Sequence, residues 1–135
     1  VVVQTFTPDQ FAITTAAKHD YITFARREIA QRESMGYPPS SRLARIVLRG
    51  EDLGKVRNAA AMIREALDRH KDDGVTILGP APAVIARLQG RHRINIVVKA
   101  RDESALMNVL EGARKLVKAS GAVQGIIDVD PLSML

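Results

Sequence analysis

The stretch HRINIVVKA, residues 92–100, has the clearest alternation of apolar and polar side chains in the chain. Successive side chains of a strand point to opposite faces, so the stretch predicts a strand with one aliphatic and one polar face. The aliphatic face takes the even positions from His92 to Val98. The polar face takes the odd positions from Arg93 to Lys99.

Apolar periodicity predicts the elements around this strand. Further strands are predicted over Leu43–Arg49, Val75–Leu78 and Val123–Val129. Amphipathic helices are predicted over Asp52–His70 and Asp102–Ala119, because their apolar residues recur at helical spacing. An aspartate begins each helix, where a carboxylate caps free backbone N–H groups.

The resulting order, β-α-β-β-α-β, is typical of an α+β, ferredoxin-like domain. Both helices are expected to cover one face of a four-stranded antiparallel sheet with strand order 4-1-3-2. The first and third strands are then central neighbours. The uncovered face, called the open face below, is expected to carry polar positions of these two strands: Arg45, Arg49, Arg93, Asn95 and Lys99.

The connection between the second and third strands is rich in proline. Gly79-Pro80-Ala81-Pro82 predicts a rigid bend, and Ala83–Leu88 is predicted to be extended, with a turn at Gln89-Gly90. The bend does not resemble a phosphate-binding loop, because two of its four residues lack a backbone N–H.

The N-terminal part is predicted to be separate from this domain. Val1–Phe6 predicts a buried strand, followed by one helix that begins at Thr7 and runs toward Met35. Two consecutive prolines then end the helix. We therefore expect two units, residues 1–40 and residues 41–135. We also expect the chain to have been cut from a larger protein.

The net charge of +5 is concentrated in one segment. Residues 74–101 carry five cations and no carboxylate, whereas residues 1–73 have a net charge of +2 and residues 102–135 a net charge of −2. Clustered positive charge predicts a nucleic-acid contact. The alternative is a solvated face that keeps the domain from associating.

The basic segment has no aromatic residue, because none follows Tyr37. Base stacking on exposed rings is therefore not expected, and contacts should go mainly to phosphates. Arg91 and Arg93 alternate along the strand and can grip phosphates, although an ordinary exposed hairpin shoulder would look the same. The residues predicted to bind DNA phosphates are Arg45, Arg49, Arg87, Arg91, His92, Arg93 and Lys99.

Other site types find little support. The chain has no cysteine, and its three histidines fall in different elements, so no metal site is predicted. No serine, histidine and acid form a recognisable catalytic set. Asp128 and Asp130 lie on one side of the last strand, where they are expected to pair with Arg45 or Arg49 rather than to bind a cation. No apolar run is long enough to span a membrane.

Six short motifs, in the same order along the whole chain, are similar to the C-terminal part of the primosomal protein N′ (PriA) family of replication-restart helicases. They are residues 3–8, Asp20-Tyr21 with Phe24, Arg32 with residues 36–39, residues 79–82, the basic residues from Arg87 to Lys99, and residues 128–131. Two positions depart from the family pattern: Ser40 and His92 stand where an aromatic residue is common.

The resemblance implies an accessory DNA-binding domain of a bacterial ATP-dependent 3′-to-5′ DNA helicase that restarts stalled forks and assembles the primosome. It implies a fold like ribosomal protein S10, with residues 1–40 as the end of the second helicase lobe. The family's ATP, magnesium and zinc sites lie upstream, so this fragment is expected neither to bind zinc nor to hydrolyse ATP.

The implied partners are forked or single-stranded DNA, single-strand-binding protein and primosome loader proteins, in the bacterial cytoplasm at the nucleoid and away from the membrane. Two alternatives stay open. One is a protein-interaction module that docks single-strand-binding protein or loader proteins. The other is an RNA-binding ferredoxin-like domain, which would not explain residues 1–40.

Overall fold

A computed structural model describes residues 2–118 and 121–131 as an α+β structure with four helices and a four-stranded antiparallel sheet. In chain order the elements are α1 (Phe11–Ala17), α2 (Tyr21–Ser34), β1 (Arg42–Gly50), α3 (Leu53–Arg69), β2 (Val75–Leu88), β3 (Arg91–Ala100), α4 (Glu103–Lys118) and β4 (Gln124–Val129). The predicted bounds of β1, α3, β3 and β4 are confirmed to within one residue. The predicted end of α4 at Ala119 lies outside the described residues.

The strands are arranged in the order β2-β3-β1-β4, and each neighbouring pair is antiparallel. Read from the other edge, this is the predicted order 4-1-3-2. The central strand β1 places Ile46 opposite Ile96 of β3 and opposite Ile127 of β4. Both neighbours of β1 are therefore paired with it so that the same positions of β1, the even ones from Ala44 to Leu48, face the helices.

The hydrophobic core lies between the sheet and the two long helices α3 and α4. Its largest fully buried side chains come from β1, β3 and both helices: Ile46, Leu48, Ile63, Leu67, Ile96, Leu106, Val56, Val98 and Val109. Burial of this aliphatic surface drives the helices onto the sheet. The opposite face carries the polar positions of β1 and β3, as predicted, and keeps the name open face, although Leu43 and Val47 on it are buried.

The strand β2 differs from the prediction. Instead of a short strand, a bend and a separate extended segment, one strand runs from Val75 to Leu88. Its pairing with β3 shifts twice, between Leu78 and Ala81 and again between Pro82 and Arg87. The prolines of the predicted bend are accommodated because β2 is an edge strand, where a missing backbone N–H leaves no unpaired partner on the outer side.

The single N-terminal helix predicted from Thr7 toward Met35 is wrong. Two helices form instead, α1 and α2, and they are called the helical arm below. The chain breaks at His19, whose φ of 55° is left-handed. The Asp20 carboxylate then caps α2 by accepting a hydrogen bond from the backbone N–H of Thr23 at 3.1 Å. The helical spacing of apolar residues continues across His19, so the sequence pattern does not reveal the break.

The helical arm packs on itself. The rings of Phe11 and Phe24 stack at 5.9 Å, and the Arg27 guanidinium lies 4.7 Å from the Phe11 ring centroid. Within the described residues, α1 and α2 contact each other and neither contacts a strand. Tyr21 and Ile22 leave most of their surface exposed.

Val1–Phe6 has the residue pattern of a buried strand, yet no nearby segment offers a matching parallel partner. Residues 2–6 form no strand, and Val2 and Phe6 are almost wholly exposed. A strand needs a partner for its backbone groups, and residues 2–6 pair with none of the four strands. Val1 lies outside the described residues.

Gly125 allows the end of α4 to pack directly on β4. A Cβ atom at this position would lie 2.6 Å from Cγ1 of Val117 and 3.0 Å from its carbonyl oxygen. Backbone cannot yield easily, so we expect Gly125→Ala to lower the free energy of unfolding by about 1–3 kcal/mol, measured by urea denaturation. The control is Gly74→Ala, whose Cβ would meet only the flexible side chain of Arg101. Equal stability of the two variants would contradict this account.

The two long helices begin at carboxylate caps. The backbone N–H of Lys55 donates to Asp52 at 3.0 Å, and that of Ala105 donates to Asp102 at 2.8 Å. These hydrogen bonds lower the pKa of Asp52 and of Asp102. A lowered folded-state pKa means that the caps stabilise the fold above the ordinary aspartate pKa of about 3.9, and that this stability is lost as the pH falls through the folded-state pKa.

Asparagine caps a helix without titrating. We therefore expect a variant with both Asp52→Asn and Asp102→Asn to lose less stability than the wild type between neutral and acidic pH, measured by urea midpoints across the pH range. Asp9→Asn, outside both caps, serves as the control. An unchanged pH dependence in the double variant would show that other groups set the acid sensitivity.

Candidate nucleic-acid interface

The register of β1 and β3 brings together the basic residues predicted on the open face. Arg49 lies opposite Arg93, and Leu43 lies opposite Lys99. The two arginines are therefore side by side at one end of the sheet, while Lys99 is at the other end. The predicted residues thus occupy different surroundings along the same face.

Arg45 is neutralised by a carboxylate. Its Nη2 lies 3.1 Å from the Asp128 carboxylate on the neighbouring strand β4, and only 11% of its side chain is exposed. The predicted cross-strand pair is confirmed. The second predicted pair differs, because Asp130 lies beyond β4 with a φ of 48° and pairs with Arg42 at 2.7 Å rather than with Arg49.

Lys99 is held by the segment that follows α2. Its ammonium donates a hydrogen bond to the carbonyl oxygen of Met35 at 3.2 Å and lies 3.7 Å from the Tyr37 ring centroid. This contact joins the open face to the chain leading out of the helical arm. Lys99 therefore already has a carbonyl and an aromatic face as partners.

Arg87 and Arg91 belong to the hairpin formed by β2 and β3. Arg87 lies opposite His92, and Leu88 lies opposite Arg91. The hairpin turn closes at Gly90, where φ is +77°. Arg87 donates a long hydrogen bond, 3.4 Å, from its Nε to the Gly90 carbonyl, which leaves most of its N–H donors for other partners.

His92 is set apart from the arginines on either side of it. It takes an even position of β3, and those positions face the helices. The pKa of Asp52 is lowered mainly by the Lys55 backbone N–H, and the charge of His92 adds a smaller effect in the same direction. His92 is therefore close to the start of α3 and not beside Arg91 and Arg93 on the open face.

A cleft of about 690 Å³ opens at the same end of the sheet. The β1–α3 turn, the end of α4 and the start of β4 line it. Its charged lining residues are Arg49, Glu51, Asp52, Lys55, Arg91 and Lys118, which give a net charge of +2. Arg49 also donates to the side-chain oxygen of Gln124 at 2.8 Å, which fixes the guanidinium at the rim.

Lys55 and Lys118 were missed as site residues by the sequence analysis. One is in the first turn of α3 and the other is the last residue of α4, and only the fold brings them to one cleft. A signal for Lys55 does exist in the sequence. The positive end of a helix dipole favours carboxylates, yet the first turn of α3 has no acidic residue and does have this lysine.

The cations at this end differ from the others in their partners. We call Arg49, Lys55, Arg87, Arg91, Arg93 and Lys118 the basic end. None of the ion pairs between described residues involves any of them. At the opposite end, Arg42 pairs with Glu103 at 3.0 Å and Arg101 pairs with Asp102 at 3.1 Å. Positive charge is thus left unbalanced at one end of the sheet.

The part of the chain that the structure describes contains neither a metal-ion cluster nor a membrane-spanning helix. No group of three or more histidine or carboxylate side chains there is placed to hold a metal ion. No helix among these residues is long and apolar enough to cross a membrane.

Known proteins resemble this chain over its whole length. Residues 33–132 match the family described as "Primosomal protein N C-terminal domain". The chain is 32% identical to the replication restart protein PriA of Bacillus subtilis, covering 100% of this chain and 17% of that protein. It is 32% identical to PriA of Treponema pallidum (100% and 20%) and 33% identical to PriA of Synechocystis (99% and 16%). The chain thus spans about a sixth to a fifth of these relatives.

The solved structures include one of similar fold, titled "De novo designed protein Foldit4". It has a TM-score of 0.51 and 15% sequence identity, covering 69% of this chain and 99% of the designed chain. This similarity concerns the fold alone. The family match and the replication restart relatives together carry the assignment: this chain belongs to the primosomal protein N C-terminal domain family.

Proposed function

We propose that this chain binds DNA as the C-terminal accessory domain of a bacterial ATP-dependent 3′-to-5′ DNA helicase that restarts stalled forks and assembles the primosome. The observation that carries the proposal is the basic end, whose six cations form no ion pair with a carboxylate among the described residues. Membership of a family of replication restart proteins supports the setting. Forked or single-stranded DNA is the proposed ligand.

The contacts are proposed to go to phosphates. Arg49 and Arg93 lie opposite each other on adjacent strands, and Arg91 is two positions along the same strand as Arg93. Arginine side chains bind phosphate oxygens through two parallel N–H donors. Because a bound phosphate replaces a condensed counterion, such contacts make affinity fall with salt and carry little sequence preference.

Arg45 and Lys99 enter this proposal differently from the others. Both have partners in the structure, the Asp128 carboxylate and the Met35 carbonyl. A phosphate would have to compete with those partners. We therefore assign the main contacts to the basic end and a secondary part to Arg45, Lys99 and the helix-facing His92.

The activities of the whole protein are proposed to be divided along the chain. We assign residues 1–40 to the end of the second helicase lobe and residues 41–135 to an S10-like, ferredoxin-like domain. Helices α1 and α2 contact no strand of the sheet, and this supports the division, as does the element order of the rest. The contact of Met35 and Tyr37 with Lys99 crosses it. We assign the binding of ATP, magnesium and zinc to the remainder of the protein. We place the whole protein in the bacterial cytoplasm, at the nucleoid.

A protein ligand is a second candidate for the basic end. Unpaired cations attract carboxylates as well as phosphates, so an acidic segment of single-strand-binding protein or of a loader protein fits the same charge. A peptide rich in aspartate and glutamate separates the cases. If the peptide displaces DNA, both ligands use the basic end; if both bind together, the chain has two separate surfaces.

The charge dependence of DNA binding tests the proposal. The six cations of the basic end, if each contacts a phosphate, predict a slope of log affinity against log salt of about −4 on single-stranded DNA. A double variant, Arg91→Ala with Arg93→Ala, is expected to make the slope shallower by about 1.4 and to weaken all sequences alike. Fluorescence anisotropy with labelled oligonucleotides measures both quantities.

The matched control removes the same charge at the other end of α3, with Arg69→Ala and Lys71→Ala. The control should leave the slope close to that of the wild type. A wild-type slope near zero would rule out the electrostatic proposal. Equal losses in the two double variants would mean that net charge, rather than the basic end, determines binding.

Lys55 offers a test in which stability and binding move in opposite directions. Lys55→Gln removes a cation from the positive end of the α3 dipole and supplies the residue that favours a capping box opposite Asp52. We expect the free energy of unfolding to rise by about 0.3–1 kcal/mol and DNA affinity to fall. Urea denaturation and anisotropy measure the two changes, with Lys71→Gln as the control. A variant that is more stable and binds DNA as before would remove Lys55 from the interface.

A further inference from the structure

A second cavity lies under an arch in β2. Between Ile94 and His92, β3 has one residue, whereas β2 has four residues between their partners Pro82 and Arg87. The extra residues lift β2 away from regular pairing, between β3 and the start of α3. The space left is about 380 Å³, at the lower end of the range of small-ligand sites.

Most residues that line this cavity are apolar, and its polar lining residues are basic. Aliphatic and proline residues supply most of it: Leu53, Ala60, Pro80, Ala81, Pro82, Ala86 and Ile94. The remaining lining residues are Arg57, His92 and Arg93, and no carboxylate is among them. Such a lining suits a ligand with a flat, weakly polar body and a negative charge.

Two arginines line this cavity. No ion pair between described residues involves Arg57 or Arg93. Arg57 is exposed in the second turn of α3, and Arg93 lies opposite Arg49 of the basic end. A strand whose phosphates lie along the basic end would therefore pass the mouth of the cavity.

We propose that this cavity takes one unstacked nucleobase of a bound DNA strand, with Arg57 and Arg93 contacting the flanking phosphates. The inference rests on the proposed DNA-binding function and adds a contact to the base. The imidazole of His92 is the ring on which the base can stack. A chain without aromatic residues after Tyr37 thus buries a base rather than stacking it on an exposed platform.

The experiment compares single-stranded oligothymidylate with an abasic phosphodiester of equal length, by anisotropy on the full chain. Phosphate contacts alone predict equal affinities. A buried base predicts that the wild type prefers oligothymidylate by about 10-fold or more. Ala86→Leu, which adds bulk at the exposed cavity rim, should reduce the preference toward 1 while affinity for the abasic chain and its salt slope stay unchanged. Ala30→Leu, in the helical arm, is the control.

A second measurement does not depend on a variant. An oligonucleotide with a photoreactive 5-iodouracil should crosslink to His92 or to residues 80–86. Crosslinks confined to Arg49 and Arg91 would overturn the proposal, as would equal wild-type affinity for the two oligonucleotides. If that equality came with a steep salt slope, the proposed DNA-binding function would still stand. If neither oligonucleotide bound, both would fall.

Discussion

The pairing of β1 with β3 and β4 is the constraint on which the rest of the structure depends. It places Ile46 between Ile96 and Ile127 and so directs one face of the central strand into the core. Since side chains alternate along a strand, the same register sets Arg49 beside Arg93 on the open face. A shift of one residue would exchange the two faces and bury arginine under α3 and α4. The core and the basic end therefore depend on one another.

Charge is balanced unevenly across the fold. Carboxylates from α4 and the end of β4 neutralise Arg42 at one end of the sheet, whereas the cations of the basic end take part in no ion pair between residues that the structure describes. Lys55 even opposes the dipole of its own helix. A neutral or acidic residue would suit the helix dipole better there, although the charge of Lys55 favours the ionised form of the Asp52 cap.

The sequence predicts well whatever depends on local periodicity. The alternation in β3 and the Asp52 cap of α3 are visible in short windows, and both hold in the structure. Local periodicity does not reveal the break at His19, because the helical spacing of apolar residues continues across it. It also does not reveal the arch of β2, because the prolines there predict a bend between two separate segments. The sequence does not indicate that Lys55 and Lys118 line the same cleft, because they come together only after two helices pack on one sheet.

Lys99 contacts Met35 and Tyr37, which follow the helical arm. The position of the arm therefore affects whether the charge of Lys99 is exposed on the open face. The carbonyl and the ring satisfy the ammonium where a phosphate could otherwise lie. Moving the arm away from this contact would release a cation to the open face. By thermodynamic reciprocity, an anion that captured Lys99 would loosen the arm to the same degree. One hydrogen bond and one aromatic contact thus connect the chain that follows the helical arm to the charge of Lys99.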